Sequence, residues 1–205
     1  MKIAILGGTG RFGSAIARRL VEGGVDVTIG SRDPDRAAVT AAEVGASRGL
    51  ANADAVEGSD LIVLAVDASA ALVTAAELAE AIGDTPVLSV ASELRIVNGA
   101  AFPSEEPLSL AERMQQVLRG PAVAGLHSLP AKPLAAGKAE GDALVCGDDE
   151  TAKAAALELA AALVTGRALD AGPLASARSL EGMTAVIVNL NRRYRGHAGL
   201  RVVGL

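Results

Sequence analysis

Two short stretches hold most of the chemistry that this chain shows. The first is Gly8-Thr9-Gly10-Arg11-Phe12-Gly13, which follows an apolar run at residues 3–6 and opens a helical segment. That is the GxGxxG spacing in the context it requires, with a second strand beginning at Val25. Gly8 is expected to form the tight turn. Gly10 would let the backbone approach a pyrophosphate, and Gly13 would let helix and strand pack closely. The helix N-terminus adds free N–H donors and a partial positive charge.

The second stretch follows the next strand, at residues 25–29. An acid at its end would bond a ribose 2′-hydroxyl and repel a 2′-phosphate. Here Ser31 and Arg32 stand instead, with Arg36 one turn into the next helix. A hydroxyl and two guanidiniums suit a 2′-phosphate, so NADP is favoured over NAD. Asp33 and Asp35 lie among them, either facing solvent or capping the helix.

Ligands of open parallel sheets sit beyond the carboxyl ends of the strands. Three further strand ends therefore belong to the crevice, with Val66, Val90 and the run from Leu126 to Ala131 at them. His127 is the one side chain there that ordinarily titrates near neutrality. It either meets a second substrate, by contact or by proton transfer, or is a buried ring satisfied by backbone. His197 reads as solvated. Cys146 has no cation near it in sequence and reads as a structural thiol. No Ser-His-Asp arrangement and no metal-ligand spacing is visible, and two His with one Cys make a zinc site improbable.

The elements that must position these residues follow from the pattern. Short apolar runs at 3–6, 25–29, 60–66, 86–90, 122–126 and 143–146 alternate with helical segments at 11–22, 34–44, 69–82, 108–118, 150–163 and 175–193. Short strands are expected at 48–50 and 168–169, a long loop at 92–107, and a Pro-containing connection after His127. Alternation of this kind predicts an α/β fold with a doubly wound parallel sheet. Of the 205 residues, 50% are hydrophobic and only 1% aromatic, so the core must be Ala, Val, Leu and Ile. The net charge of −5, with no basic run and almost no aromatic stacking platform, speaks against a nucleic-acid partner. No apolar run is long enough to span a membrane, and the chain begins directly as a strand without a signal peptide. A cytoplasmic protein is expected.

GGTGRFG, GSR, HSLPA, VCGDD, LDAGPL and the final HAGLRVVGL, taken together and in this order, resemble the NADPH:coenzyme F420 oxidoreductase family. The resemblance implies a Rossmann NADP-binding domain at 1–130 and a small C-terminal α/β domain at 131–205, with the active site between them. It implies reversible hydride transfer between NADP(H) and the deazaflavin F420, for which no acid, base or metal is needed. It also implies residue roles. Thr9 to Phe12 would hold the pyrophosphate, while Ser31, Arg32 and Arg36 would hold the 2′-phosphate. His127 and Leu129 would contact the deazaflavin, Ala131 would meet the nicotinamide carboxamide, and Leu200 would close the deazaflavin pocket. Family members are commonly homodimers. In this chain Asp67-Ala68-Ser69 and Ser89-Val90-Ala91-Ser92-Glu93 stand where the family tends to carry Pro-containing loops. Two alternatives stay open on the residues: an NADPH-dependent reductase of another small acceptor such as an imine or quinone, and a non-catalytic NADP-binding protein.

Overall fold

The structure, a computed structural model, describes residues 1–205. It begins with strand β1 (Lys2–Leu6), helix α1 (Arg11–Glu22), β2 (Asp26–Ser31), α2 (Pro34–Val44) and β3 (Arg48–Ala51). A one-turn helix α3 (Asn52–Ala55) leads to β4 (Leu61–Leu64), α4 (Ala68–Glu77), α5 (Ala79–Ile82) and β5 (Val87–Ser89). A hairpin of β6 (Leu94–Val97) and β7 (Ala100–Pro103) precedes α6 (Leu110–Gln115) and β8 (Ala122–Gly125). The chain ends with α7 (Ala131–Ala136), β9 (Ala143–Gly147), α8 (Glu150–Leu163), β10 (Ala168–Asp170) and α9 (Ala177–Tyr194).

Eight strands form one sheet in the order β10-β9-β8-β5-β4-β1-β2-β3. Ile3 and Ile5 of β1 face one apolar layer with Ile16 and Leu20 of α1. Ala4 and Leu6 face the other, with Ala71, Ala75 and Met114. Both faces of the sheet are covered, which is why its central strands read as unbroken apolar runs rather than alternating ones. Each fully buried Ile or Leu contributes about 1.5–3 kcal/mol.

The sheet departs from the expectation at one place. β8 and β9 run antiparallel, whereas the other neighbouring pairs are parallel. A parallel return would have to cross back to the opposite end of the sheet, for which the connection at 126–142 is long enough. The six-residue α7 instead packs on α1, and the chain re-enters the sheet from the end at which β8 left it. Residues 131–205 thus build no sheet of their own, and their two strands extend the first one. As a consequence Asp142 and Arg167, which precede β9 and β10, lie at the same end of the sheet as His127.

The region expected as a loop at 92–107 holds the β6–β7 hairpin, which packs on α9. Asn189 of α9 donates to and accepts from the backbone of Ala101, both at 2.8 Å. Buried Glu181, also on α9, accepts from the N–H groups of Leu110 and Ala111 and so satisfies the start of α6. The expected helix at 69–82 is interrupted at Leu78, between α4 and α5.

Candidate active site

The loop after β1 is built by close approach. Gly7 takes a φ of +79°, and a Cβ there would stand 2.6 Å from the Ala65 carbonyl oxygen. The left-handed residue of the turn is therefore Gly7, not Gly8. Gly8 lies beneath the loop, where a Cβ would meet Ile29 Cγ2 at 2.9 Å. At Gly13 a Cβ would stand 2.5 Å from the Gly7 carbonyl oxygen, so α1 sits directly against the turn. No side chain caps the first turn of α1. Its N–H donors are left for an anion.

Sheet order reverses between β1 and β4, the switch point at which such folds hold ligands. A cleft of about 500 Å³ opens there. Thr9, Gly10, Ser31, Arg32, Arg36 and Val66 all line it. So do Gly7 and Asn52, which the sequence reading passed over. Arg11 is exposed, and Phe12 is half-buried against the core. Asp33 is turned to helix capping: its carboxylate accepts from the N–H groups of Asp35 at 3.1 Å and Arg36 at 3.2 Å. Ser31 Oγ accepts from the Asp33 N–H at 3.2 Å, which leaves its own proton for a ligand oxygen. The cleft thus has a cationic corner in which the Asp33 carboxylate is already bonded, while Asp67 lines the same cleft without a capping bond.

The segment after β8 is held more tightly. Leu126 takes a φ of +67°, rare for a branched residue and a sign of local strain. The Leu129 N–H donates back to the Leu126 carbonyl at 3.0 Å, closing the turn. Thr184 of α9 donates its hydroxyl to the His127 carbonyl at 3.1 Å and pairs with the Ser92 hydroxyl at 2.7 Å. His127 itself is buried, and neither ring nitrogen has a hydrogen-bond partner. Burial lowers its pKa to about 4 against the opposing effect of the Ala91 backbone, which approaches the ring without reaching hydrogen-bond geometry, so the ring is neutral at pH 7. Val90 and Leu129 are buried beside Leu126. Ala131 opens α7 and is half-buried.

A second pocket, of about 640 Å³, begins at Pro130 and runs under the C-terminal tail. Gly141, His197, Leu200 and Arg201 line it. The tail is fastened by Asp142, whose carboxylate accepts from the Val202 N–H at 2.8 Å, the Arg167 N–H at 2.8 Å and the Arg167 guanidinium at 3.2 Å. The Asp142 N–H donates to the Leu200 carbonyl at 2.7 Å. The Arg167 and Val202 backbone N–H groups hold the carboxyl down at about 2. The structure therefore places the sequence-derived residues in two groups. Ser31, Arg32 and Arg36 share one cleft; Leu200 lines another pocket, which reaches Pro130 but is lined by neither His127 nor Leu129.

Cys146, read as a structural thiol, sits accordingly. Cys146 is fully buried, and burial pushes its thiol up to about 12, with Glu181, Asp148 and Asp170 adding to the effect. No group of three or more His, Cys, Asp or Glu is arranged to hold a metal.

Comparison with known proteins shows the family to which the chain belongs. The family model described as "NADP oxidoreductase coenzyme F420-dependent" matches residues 2–93. The F420-dependent NADP reductase of Methanothermobacter thermautotrophicus is 33% identical over 222 residues, covering 100% of this chain and 96% of that protein. This chain belongs to the F420-dependent NADP reductase family. The Methanocaldococcus jannaschii member is 32% identical, with 100% of this chain and 99% of that protein covered. Among solved structures, a candidate F420-dependent NADP-reductase from Arthrobacter sp. FB24 superposes over the whole of both chains, with a TM-score of 0.84 at 26% identity. An imine reductase from Aspergillus terreus shares the fold, with a TM-score of 0.69 at 23% identity over 95% of this chain and 63% of that one.

Proposed function

We propose that this chain transfers a hydride, reversibly, between NADP(H) and the deazaflavin coenzyme F420. The reaction moves two electrons and a hydrogen between C4 of the nicotinamide and C5 of the deazaflavin, and a solvent proton balances the charge. The observation that carries the reading is that the likeness to F420-dependent NADP reductases runs the full length of the chain. It includes His127 and the Leu200 tail, not the glycine loop alone.

The site has features that fit both ligands. The tight glycine turn and the uncapped start of α1 suit a pyrophosphate. Ser31, Arg32 and Arg36 suit a 2′-phosphate. The orphaned nitrogens of His127 are buried polar atoms that lack a partner within the protein. In this reading Thr9 to Phe12 hold the pyrophosphate, while Val66 and Val90 border the cofactor. Ala131 offers backbone to the carboxamide. His127 and Leu129 contact the deazaflavin, and Leu200 closes its pocket. A neutral His127 orients the ring by hydrogen bonding and moves no proton at pH 7. The protein's contribution is positioning, which suffices for large accelerations when two carriers are held in contact.

No helix is long and apolar enough to cross a membrane. The proposal includes a homodimer, which the family resemblance implies, acting in the cytoplasm. Mixing purified protein with NADPH and F420, and separately with a panel of imines, tests the proposal. Loss of the deazaflavin absorbance band, with no turnover of imines, is expected. Imine turnover without any reaction of F420 would overturn it.

A further inference from the structure

One polar side chain in the nucleotide cleft has no partner and no assigned role. Asn52 follows β3 directly, and the register of β2 and β3 pairs Ser31 with Ala51. Asn52 therefore stands one step beyond that pair, beside Arg32, at the usual strand spacing of about 4.8 Å. It lines the same cleft as Ser31, Arg32 and Arg36. Its Oδ1 is buried and makes no hydrogen bond. A Cβ at Gly30 would stand 3.0 Å from that oxygen, so glycine at position 30 is what leaves room for the amide.

An unpaired buried amide oxygen costs stability. Nothing in the fold recovers that cost, because no side-chain hydrogen bond of Asn52 holds α3 or β3. The other end of the side chain, Nδ2, carries two donors and no charge, and no hydrogen bond within the protein engages it. With the two guanidiniums and the Ser31 hydroxyl it adds a further donor to the lining of one cleft.

We propose that Asn52 is a specificity residue for the phosphate on the cofactor's ribose, donating Nδ2–H to a phosphate oxygen alongside Ser31, Arg32 and Arg36. The inference rests on the reading of this cleft as an NADP site and adds to it a fourth, uncharged donor. A neutral donor distinguishes a phosphate, which only accepts here, from a hydroxyl, which can be met from either side. It does so without deepening the positive field that would also attract unrelated anions.

The test is Asn52→Asp, which keeps shape and replaces the donor by an anionic acceptor, with Asn52→Ala as a second variant. Calorimetric affinities for NADPH, NADH and adenosine 2′-phosphate are measured for each, with thermal melting as a check on folding. The expected result is a loss of about tenfold or more for NADPH and for adenosine 2′-phosphate in Asn52→Asp, with NADH changed little. Asn52→Ala shows a smaller loss in the same two ligands. Equal losses for NADPH and NADH, or unchanged NADPH affinity in both variants, would overturn the assignment. If the native protein binds NADH as tightly as NADPH, the reading of the cleft itself fails. An intact NADPH preference lost only through Arg32 leaves that reading standing and removes Asn52 alone.

Discussion

At the scale of single residues, charge and burial divide the work between two ends of the site. Arg32 and Arg36 face the cleft, while Asp33 is occupied in capping α2. Arg32→Asp removes a charge-assisted bond and adds repulsion, so NADPH affinity should fall by about tenfold to a hundredfold and NADH affinity far less. Equal losses in a binding titration would show that Arg32 does not read the 2′-phosphate. His127 makes a different prediction. Folded, it stays neutral because burial lowers its pKa from 6.5 to about 4. The unfolded chain takes up that proton below about pH 6.5, so between the two values it holds more protons than the folded one. Stability is full above the window and falls as pH drops through it, by about 3 kcal/mol in all. Urea unfolding near pH 7 and near pH 4.5 should show this loss in the native protein and a smaller one in His127→Gln. The sequence placed His127 at the crevice by its position after a strand. It left open whether backbone would satisfy the ring, since that depends on packing. Asn52 was invisible for a related reason: only the register of β2 and β3 sets it beside Arg32.

At the scale of elements, what could be read in the sequence was what depends on local pattern. The strand–glycine–helix unit announced itself because both its apolar runs and its glycines are contiguous in the chain. Its tightest contact is at Gly13, under the Gly7 carbonyl. Gly13→Ala should therefore push α1 away from the turn, lowering stability by about 1–3 kcal/mol in thermal melting and weakening NADPH at the same time. A variant that melts and binds normally would show the contact to be slack. The β6–β7 hairpin carried a signal that the reading passed over: Asn98-Gly99, with φ values of +49° and +80°, is a favoured two-residue hairpin turn. The flanking strands are mostly exposed, so no apolar alternation drew attention to them. Helix α7 hid behind its prolines, which a helix tolerates only near its start. The reversed direction of β9 had no local signature, because it follows from where α7 packs.

At the scale of the whole molecule, that reversal brings the far end of the chain to the carboxyl edge of the sheet. β9 and β10 begin at the carboxyl edge of the sheet, so Asp142 and Arg167 can fasten the tail there and set Leu200 against Gly141. Asp142→Ala should release the tail. Residues near 200 then become open to carboxypeptidase trimming, and KM for F420 rises while KM for NADPH is unchanged. A tail that resists trimming, with both KM values unaltered, would show that the fastening does not shape the second pocket. The central claim is that the fold holds two carriers so that a hydride passes directly from one to the other. NADPH deuterated at the transferable C4 position, mixed with F420 and the native protein, tests it by NMR of the reduced deazaflavin. The account predicts that the label appears at C5 of the deazaflavin without exchange into solvent; label found in water, or no reduction of F420, would contradict it.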